Sequence, residues 1–134
     1  MADEILFGKG EENPFGEFFI GQSYLKLLAQ EGEVMVANVT FGPGCRNNWH
    51  IHHADENGGQ ILLVTEGEGW YQEFGQDARK LKVGDVVSIP PNVKHWHGAT
   101  KDSWFTHIAI EVPGINQENE WCEEVSDDEY MNLE

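Results

Sequence analysis

Basic residues, cysteines and long apolar runs are all scarce in this chain of 134 residues. Its 8 Lys and Arg residues stand against 24 Asp and Glu residues, which gives a formal net charge of −16. A surface this acidic repels phosphate backbones and anionic lipids, so we expect neither a nucleic-acid partner nor a membrane partner. No stretch approaches the roughly 18 apolar residues of a membrane-spanning helix, and the first residues lack the basic and apolar regions of a secretory signal.

The sequence has two cysteines, Cys45 and Cys122, which are far apart and form no C-x-x-C motif. So small a number of thiols excludes a disulfide framework and favours a reduced, cytoplasmic setting. A chain of this length forms one domain, with a core large enough to be stable without disulfides. We interpret Cys45 first as a small loop residue, then as a redox-sensitive neighbour of the site, and last as a catalytic thiol.

Turn-forming residues divide the middle of the chain into short apolar segments of strand length. They cover residues 34–41, 60–65, 70–74, 81–89, 95–100 and 104–112. Phe18 to Leu28 has apolar residues at helical spacing as well, but Gly21 and the surrounding strand pattern favour an extended segment. Turns at intervals of about eight to twelve residues, with no βαβ period, predict an all-β antiparallel barrel.

Composition also divides the chain into three parts. Residues 1–16 are expected to form an irregular lead-in, residues 17–112 the barrel, and residues 113–134 a C-terminal extension that packs on the barrel through Trp121. Ser126 and Glu129 have the spacing of a capping box, which predicts a short C-terminal helix.

Five of the six histidines stand at alternating positions on predicted strands. His50 and His52 are two residues apart, His95 and His97 repeat that spacing, and His107 follows. Residues two apart on a strand present their side chains to the same face, so each pair can reach one point. Two such pairs predict a metal site, because imidazole is a ligand of most divalent transition metals.

The residues around these histidines resemble the two cupin motifs. The first is G-x₅-H-I-H followed by Q-x₆-G, from Gly44 to Gly67, with Gln60 where most cupins have Glu. The second is G-x₅-P-P-N-x₂-H, from Gly84 to His95, with Asn92 at the usual glycine. Asn tolerates a positive φ better than other non-glycine residues, so the turn can survive this exchange. The resemblance implies a jelly-roll barrel that holds a metal.

More of the chain resembles one subgroup, the small single-domain cupins found beside carboxymuconolactone decarboxylases. The similar stretches are N-N-W-H-I-H-H-A, G-G-Q-I-L-L-V-T-E-G-E-G-W-Y-Q, K-H-W-H-G-A and W-C-E-E-V-S-D-D-E-Y. This subgroup includes the manganese-dependent bacterial hydroxynitrile lyases. The resemblance implies one divalent metal ion per chain and a small-molecule substrate.

The fourth ligand, beside His50, His52 and His95, has two candidates. Glu56 fits the common cupin spacing by count, whereas Gln60 fits because an apolar strand begins there and Gly67 follows after six residues. We choose Gln60. Three imidazoles and an amide leave a divalent ion its full charge, which makes it a stronger Lewis acid than a site with a carboxylate ligand. Such an N/O ligand set admits Mn, Fe, Co, Ni, Cu or Zn.

His97 and His107 remain for catalysis. A histidine beside a bound substrate is suited to move a proton, although either residue can instead only hydrogen-bond a ligand. By analogy with the lyases we assign proton transfer to both, and more strongly to His107. His53 points away from the His50 and His52 face and receives no role.

Three functions are compatible with this pattern. The first is a metal-assisted lyase acting on a small hydroxylated or carbonyl compound, of the hydroxynitrile-lyase kind. The others are an oxygen-dependent dioxygenase and a non-catalytic binding or sensor protein, because cupins serve all three. We also expect a homodimer that buries the apolar N-terminal segment F-F-I and covers a sheet edge.

Overall fold

A computed structural model describes residues 5–133, which form fifteen short strands, one 3₁₀ turn at Gly16–Phe18 and one α-helix. The N-terminal strands are β1 (Glu11–Glu12), β2 (Phe19–Ile20), β3 (Ser23–Glu31), β4 (Val34–Phe41), β5 (Arg46–Asn47), β6 (His50–His53), β7 (Glu56–Asn57) and β8 (Gln60–Gly67). They are followed by β9 (Gly69–Glu73), β10 (Arg79–Leu81), β11 (Val86–Ile89), β12 (His95–Ala99), β13 (Phe105–Glu111), β14 (Gly114–Ile115), β15 (Glu118–Trp121) and α1 (Asp127–Met131). The all-β prediction is confirmed.

Two antiparallel sheets make up the jelly roll. One has the strand order β1-β3-β4-β13-β8-β11, and the other has the order β10-β9-β12-β5-β2, with β6 bridging β12 and β15. A separate short ribbon pairs β7 with β14. The segment from Phe18 to Leu28 is extended as predicted, because most of it forms β2 and β3.

The core lies between the two sheets and follows the alternation of the strands. On β8, Gln60, Leu62 and Val64 are buried, while the residues between them are half-buried. Phe41 of β4 and Phe105 of β13 are fully buried in the same cluster. Alternation of this kind fixes the register, since a slip of one residue would turn the apolar set outward.

Asn92 makes the turn before β12 with a φ of 68°. Its backbone N–H donates to the His52 carbonyl at 2.8 Å. Its side chain exchanges two hydrogen bonds with the Ala54 backbone, at 3.0 and 3.1 Å. The turn therefore has the positive φ predicted for Asn92, and it joins the strand of His95 to the strand of His52.

The C-terminal segment is fastened to the second sheet. Ser126 and Glu129 form the predicted capping box at the start of α1. The buried guanidinium of Arg46 donates two hydrogen bonds to the Val125 carbonyl, at 2.9 and 3.1 Å. The Tyr130 hydroxyl donates to the Ala99 carbonyl at 2.5 Å. These contacts hold the start of α1 against the second sheet, where Val125 and Tyr130 join a buried cluster with Trp49, Trp70 and Trp96. β15 lies beside β6 through its own antiparallel ladder.

Within residues 5–133, no helix has the length and apolar character needed to cross a membrane.

Candidate metal centre

Three histidines converge where β6 and β12 pair. His50 and His52 leave the same face of β6, and His95 lies directly opposite His50 in the ladder. One ring nitrogen from each of the three lies within 4.8 Å of the others. The ring centroids of His50 and His95 are 4.2 Å apart, and that of His52 is 5.2 Å and 5.3 Å from them. The spacing of two residues therefore brings the side chains together as the strand geometry requires.

The hydrogen bonds of these rings leave the same nitrogen free on each. Nδ1 of His50 is 2.8 Å from the Asn48 carbonyl oxygen, and Nδ1 of His95 is 2.9 Å from that of Val93. Nδ1 of His52 is 2.8 Å from Asn119 Oδ1. Because each oxygen can only accept, each Nδ1 carries the hydrogen and each Nε2 has a lone pair. Nε2 of His52 and of His95 is buried without a hydrogen-bond partner.

Gln60 lines the same cavity as His50 and His52 and has a free oxygen. Its Nε2 donates to a carboxylate oxygen of Glu111, which lies opposite on β13. Its Oε1 is buried and has no hydrogen-bond partner. Glu56, the other candidate, is exposed on β7, and among residues 5–133 no carboxylate joins the histidine cluster. The unpartnered nitrogens and oxygen together fit a divalent transition metal, which accepts such an N/O donor set.

The environment keeps these imidazoles in the form that binds metals. Burial is the largest cause that lowers the pKa of His95, to about 4, and that of His50 well below its ordinary value. The neighbouring histidines lower the pKa of both further. Both rings are therefore neutral near pH 7, and a neutral imidazole is the form that ligates a metal.

His97 and His107 form a second buried pair beside the cluster. His107 Nε2 lies 3.2 Å from His97 Nδ1, so one N–H is shared between the rings. Asn47 Nδ2 lies 3.3 Å from His97 Nδ1, and the backbone N–H of His97 donates to Asn47 Oδ1 at 2.9 Å. Burial lowers the pKa of His107 to about 3, while His107 Nδ1 is buried and lacks a partner. The two rings are thus neutral and linked by one hydrogen bond, through which a proton can move from one ring to the other.

A cavity of about 350 Å³ adjoins both groups of histidines. Its walls are mostly apolar and come from both sheets and the N-terminal segment. The apolar lining residues are Phe15, Phe19, Leu25, Met35, Ala37, Val39, Ala109 and Trp121. Polar lining residues include Gln60, His97 and His107, and among residues 5–133 Glu111 is the one charged side chain in the lining. A mostly apolar wall that also carries polar side chains is typical of a small-molecule site.

Sequence reasoning missed two residues that adjoin the cluster, and it gave a third only a packing role. Asn119 and Glu111 hydrogen-bond His52 and Gln60, and nothing in their local sequence distinguishes them from other surface polar residues. Trp121 was expected to pack the tail on the barrel, and its ring lies against His50 with centroids 4.9 Å apart. The pairing of β15 with β6 puts Asn119 and Trp121 there.

Two remaining residues lie outside the cluster. His53 points away from it, as its position on β6 predicts, and its Nε2 is 2.7 Å from a carboxylate oxygen of Glu120. Cys45 is fully buried, and burial raises the pKa of its thiol to about 12. A thiol of that pKa stays protonated near pH 7, which does not suit a nucleophile.

Comparison with known proteins agrees with the fold. Residues 37–110 match the cupin domain. (R)-Mandelonitrile lyase from Granulicella tundricola is 43% identical over 126 residues, which cover 92% of this chain and 90% of that protein. A cupin-like protein from Thermotoga maritima, known from its crystal structure, is 42% identical with a TM-score of 0.81 over 93% of each chain. Acireductone dioxygenase from Bacillus cytotoxicus is 31% identical over 65 residues, which cover 46% of this chain and 36% of that protein. This chain is therefore a member of the cupin family.

Proposed function

We propose that the protein is a metal-dependent lyase that cleaves a carbon–carbon bond in a small hydroxylated substrate, namely a cyanohydrin. In this proposal His50, His52, Gln60 and His95 hold one divalent transition metal. His97 and His107 handle the proton. The reaction releases an aldehyde and hydrogen cyanide.

The observation that carries the proposal is the pairing of two different histidine groups in one apolar cavity. The first group has free Nε2 atoms and every Nδ1 hydrogen-bonded outward, so it is prepared to bind an ion. The second group is His97 and His107, which have no carboxylate partner among residues 5–133 and hydrogen-bond each other and Asn47. A purely structural metal site would not need that second pair. The 43% identity to a protein named (R)-mandelonitrile lyase supports the same reaction class.

The chain's own residues have separate tasks in this reaction. A bound divalent ion supplies Lewis acidity that lowers the pKa of a substrate hydroxyl group. The His97–His107 pair accepts the hydroxyl proton while the bond between the carbinol carbon and the nitrile carbon breaks. The electron pair of that bond leaves with cyanide, and the carbinol carbon becomes the carbonyl carbon of the aldehyde. Cyanide then takes the proton back from the pair, which restores the starting state.

The walls of the cavity hold the organic part of the substrate. Phe19, Val39 and Ala109 line it near the histidines, and an apolar ring or chain placed there excludes water from the breaking bond. A cavity of about 350 Å³ has room for one small aromatic or aliphatic cyanohydrin.

The test is cleavage of mandelonitrile by protein loaded in turn with Mn²⁺, Zn²⁺ and Fe²⁺, in the absence of oxygen. We expect release of aldehyde and cyanide with at least one redox-inert loading, and loss of that release in His107→Ala at unchanged metal content. If turnover requires both Fe²⁺ and oxygen, the lyase proposal is wrong and the protein is a dioxygenase. Metal binding without turnover of any cyanohydrin would favour a binding or sensor protein.

A further inference from the structure

We infer that Glu111 is a positioning residue for the metal centre: its carboxylate turns the Gln60 amide so that the oxygen faces the ion. This inference rests on the assignment of Gln60 as a ligand in the proposed function. In the part of the chain that the structure describes, Glu111 is the one charged side chain that lines the cavity.

The orientation of the amide follows from hydrogen-bond chemistry. An amide has a donating end and an accepting end, and a carboxylate can only accept. Gln60 Nε2 therefore faces Glu111, and Oε1 is directed to the other side, where it is buried without a partner. With Glu111 absent, either end of the amide could point at the histidines, and an NH₂ group cannot ligate a cation.

The sheet holds the two side chains in register. Gln60 is the first residue of β8 and Glu111 the last of β13, and they are direct partners in the antiparallel ladder. Val112 N–H donates to the Gly59 carbonyl at 3.1 Å and closes the ladder beyond them. Their Cβ atoms are thus held at a fixed short separation, because directly opposed residues on one face of a ladder are neighbours.

The carboxylate also supplies charge to a ligand set that is otherwise neutral. A hydrogen bond from the Gln60 NH₂ group to Glu111 polarises the amide and increases the negative partial charge on Oε1. The effect resembles that of carboxylates behind metal-bound histidines, which raise the basicity of the ligand. Metal affinity is therefore expected to depend on Glu111, although Glu111 does not ligate the ion.

The experiment measures Zn²⁺ and Mn²⁺ affinity by competition with a chromophoric chelator, together with the visible spectrum of the Co²⁺-loaded protein. Glu111→Ala should weaken metal binding by about 10–100-fold, the range for loss of such a contact. Glu111→Gln should weaken it less, because the Gln carbonyl oxygen still accepts from Gln60. Glu31→Gln removes the same charge from an exposed position of the same sheet and should change nothing.

The deciding measurement is made in a Gln60→Glu background. In that variant two carboxylates face each other, and neither can donate a hydrogen bond. Adding Glu111→Gln restores one hydrogen bond, in which the side chain at position 111 donates and the side chain at position 60 accepts. Glu111→Gln should therefore weaken metal binding in the natural protein and strengthen it in the Gln60→Glu variant. A merely structural role for Glu111 would give the same sign in both backgrounds, and that result would overturn the inference.

Failure of the inference can be told from failure of the proposed ligand set. If Gln60→Ala leaves metal affinity and the Co²⁺ spectrum unchanged, Gln60 is not a ligand and both proposals lose their fourth donor. If Gln60→Ala weakens binding but Glu111→Ala does not, only the role of Glu111 is refuted. Circular dichroism of each variant establishes whether it is folded. If Glu111→Ala does not fold, the comparison of Glu111→Gln in the two backgrounds decides.

Discussion

Removal of the Asn119 side chain tests whether the C-terminal strand β15 contributes to the metal centre. Asn119 Oδ1 accepts the His52 Nδ1 hydrogen at 2.8 Å, because Asn119 is the direct ladder partner of His52. In Asn119→Ala this acceptor is absent, so the His52 ring is no longer held in one tautomer and one orientation. Metal affinity should fall, since a ligand that must first be ordered binds more weakly.

The size of the effect follows from the exposure of the contact. Loss of such an outer hydrogen bond weakens metal binding by about 10–100-fold. The His52–Asn119 contact is exposed to solvent, so water can replace the missing acceptor in part. We therefore expect the lower end of the range, about tenfold, which corresponds to about 1.4 kcal/mol.

The assay is chelator competition with Zn²⁺, with two matched variants. Asn119→Asp keeps an acceptor and should retain the affinity. Glu120→Gln changes the neighbouring residue, whose carboxylate contacts His53 outside the cluster, and should have no effect. An unchanged dissociation constant in Asn119→Ala, or an equal loss in Glu120→Gln, would refute the idea that β15 orients His52.

Four further outcomes are expected. His107→Ala should lower cyanohydrin turnover by about 10²–10⁴-fold, the usual contribution of a general acid–base group, with metal content by elemental analysis unchanged. Burial lowers the pKa of His107 to about 3 from 6.5, so between these two pH values the unfolded chain binds a proton at His107 and the folded chain does not. Acid is therefore expected to unfold the protein. As the pH is lowered from 6.5 to about 3, His107 alone should reduce the free energy of unfolding by about 1.4 kcal/mol per pH unit. Denaturant titrations at several pH values should show that the free energy of unfolding of His107→Phe depends less on pH. Tyr130→Phe should lower the thermal midpoint, since it removes the hydrogen bond to Ala99 worth about 1 kcal/mol. The protein should be a homodimer that buries the F-F-I segment at residues 18–20 and covers the edge of β3, where Leu27 is exposed. A monomer mass in light scattering would contradict this.

Local patterns were sufficient for the fold and for the three-histidine cluster. Strand length, β-branched composition and glycine turns predicted the strand series, since each depends on residues close together in the chain. Because side chains on a strand alternate, a spacing of two was enough to put His50 and His52 on one face. The turn at Asn92 and the capping box at Ser126 were predictable for the same reason, as both are made within a few residues.

The surroundings of the cluster were decided by the tertiary structure. Glu56 fits the cupin spacing by count, and Gln60 was chosen because an apolar strand begins there. The tertiary structure shows that Glu56 is exposed on β7 and that Gln60 is buried on β8. The sequence also gave no sign that the Glu111 carboxylate accepts a hydrogen bond from Gln60. That contact joins residues 51 apart in the chain, and the Asn119 contact with His52 joins residues 67 apart. Such pairs depend on which strands lie side by side, and strand pairing is set by packing of the whole core rather than by any local pattern.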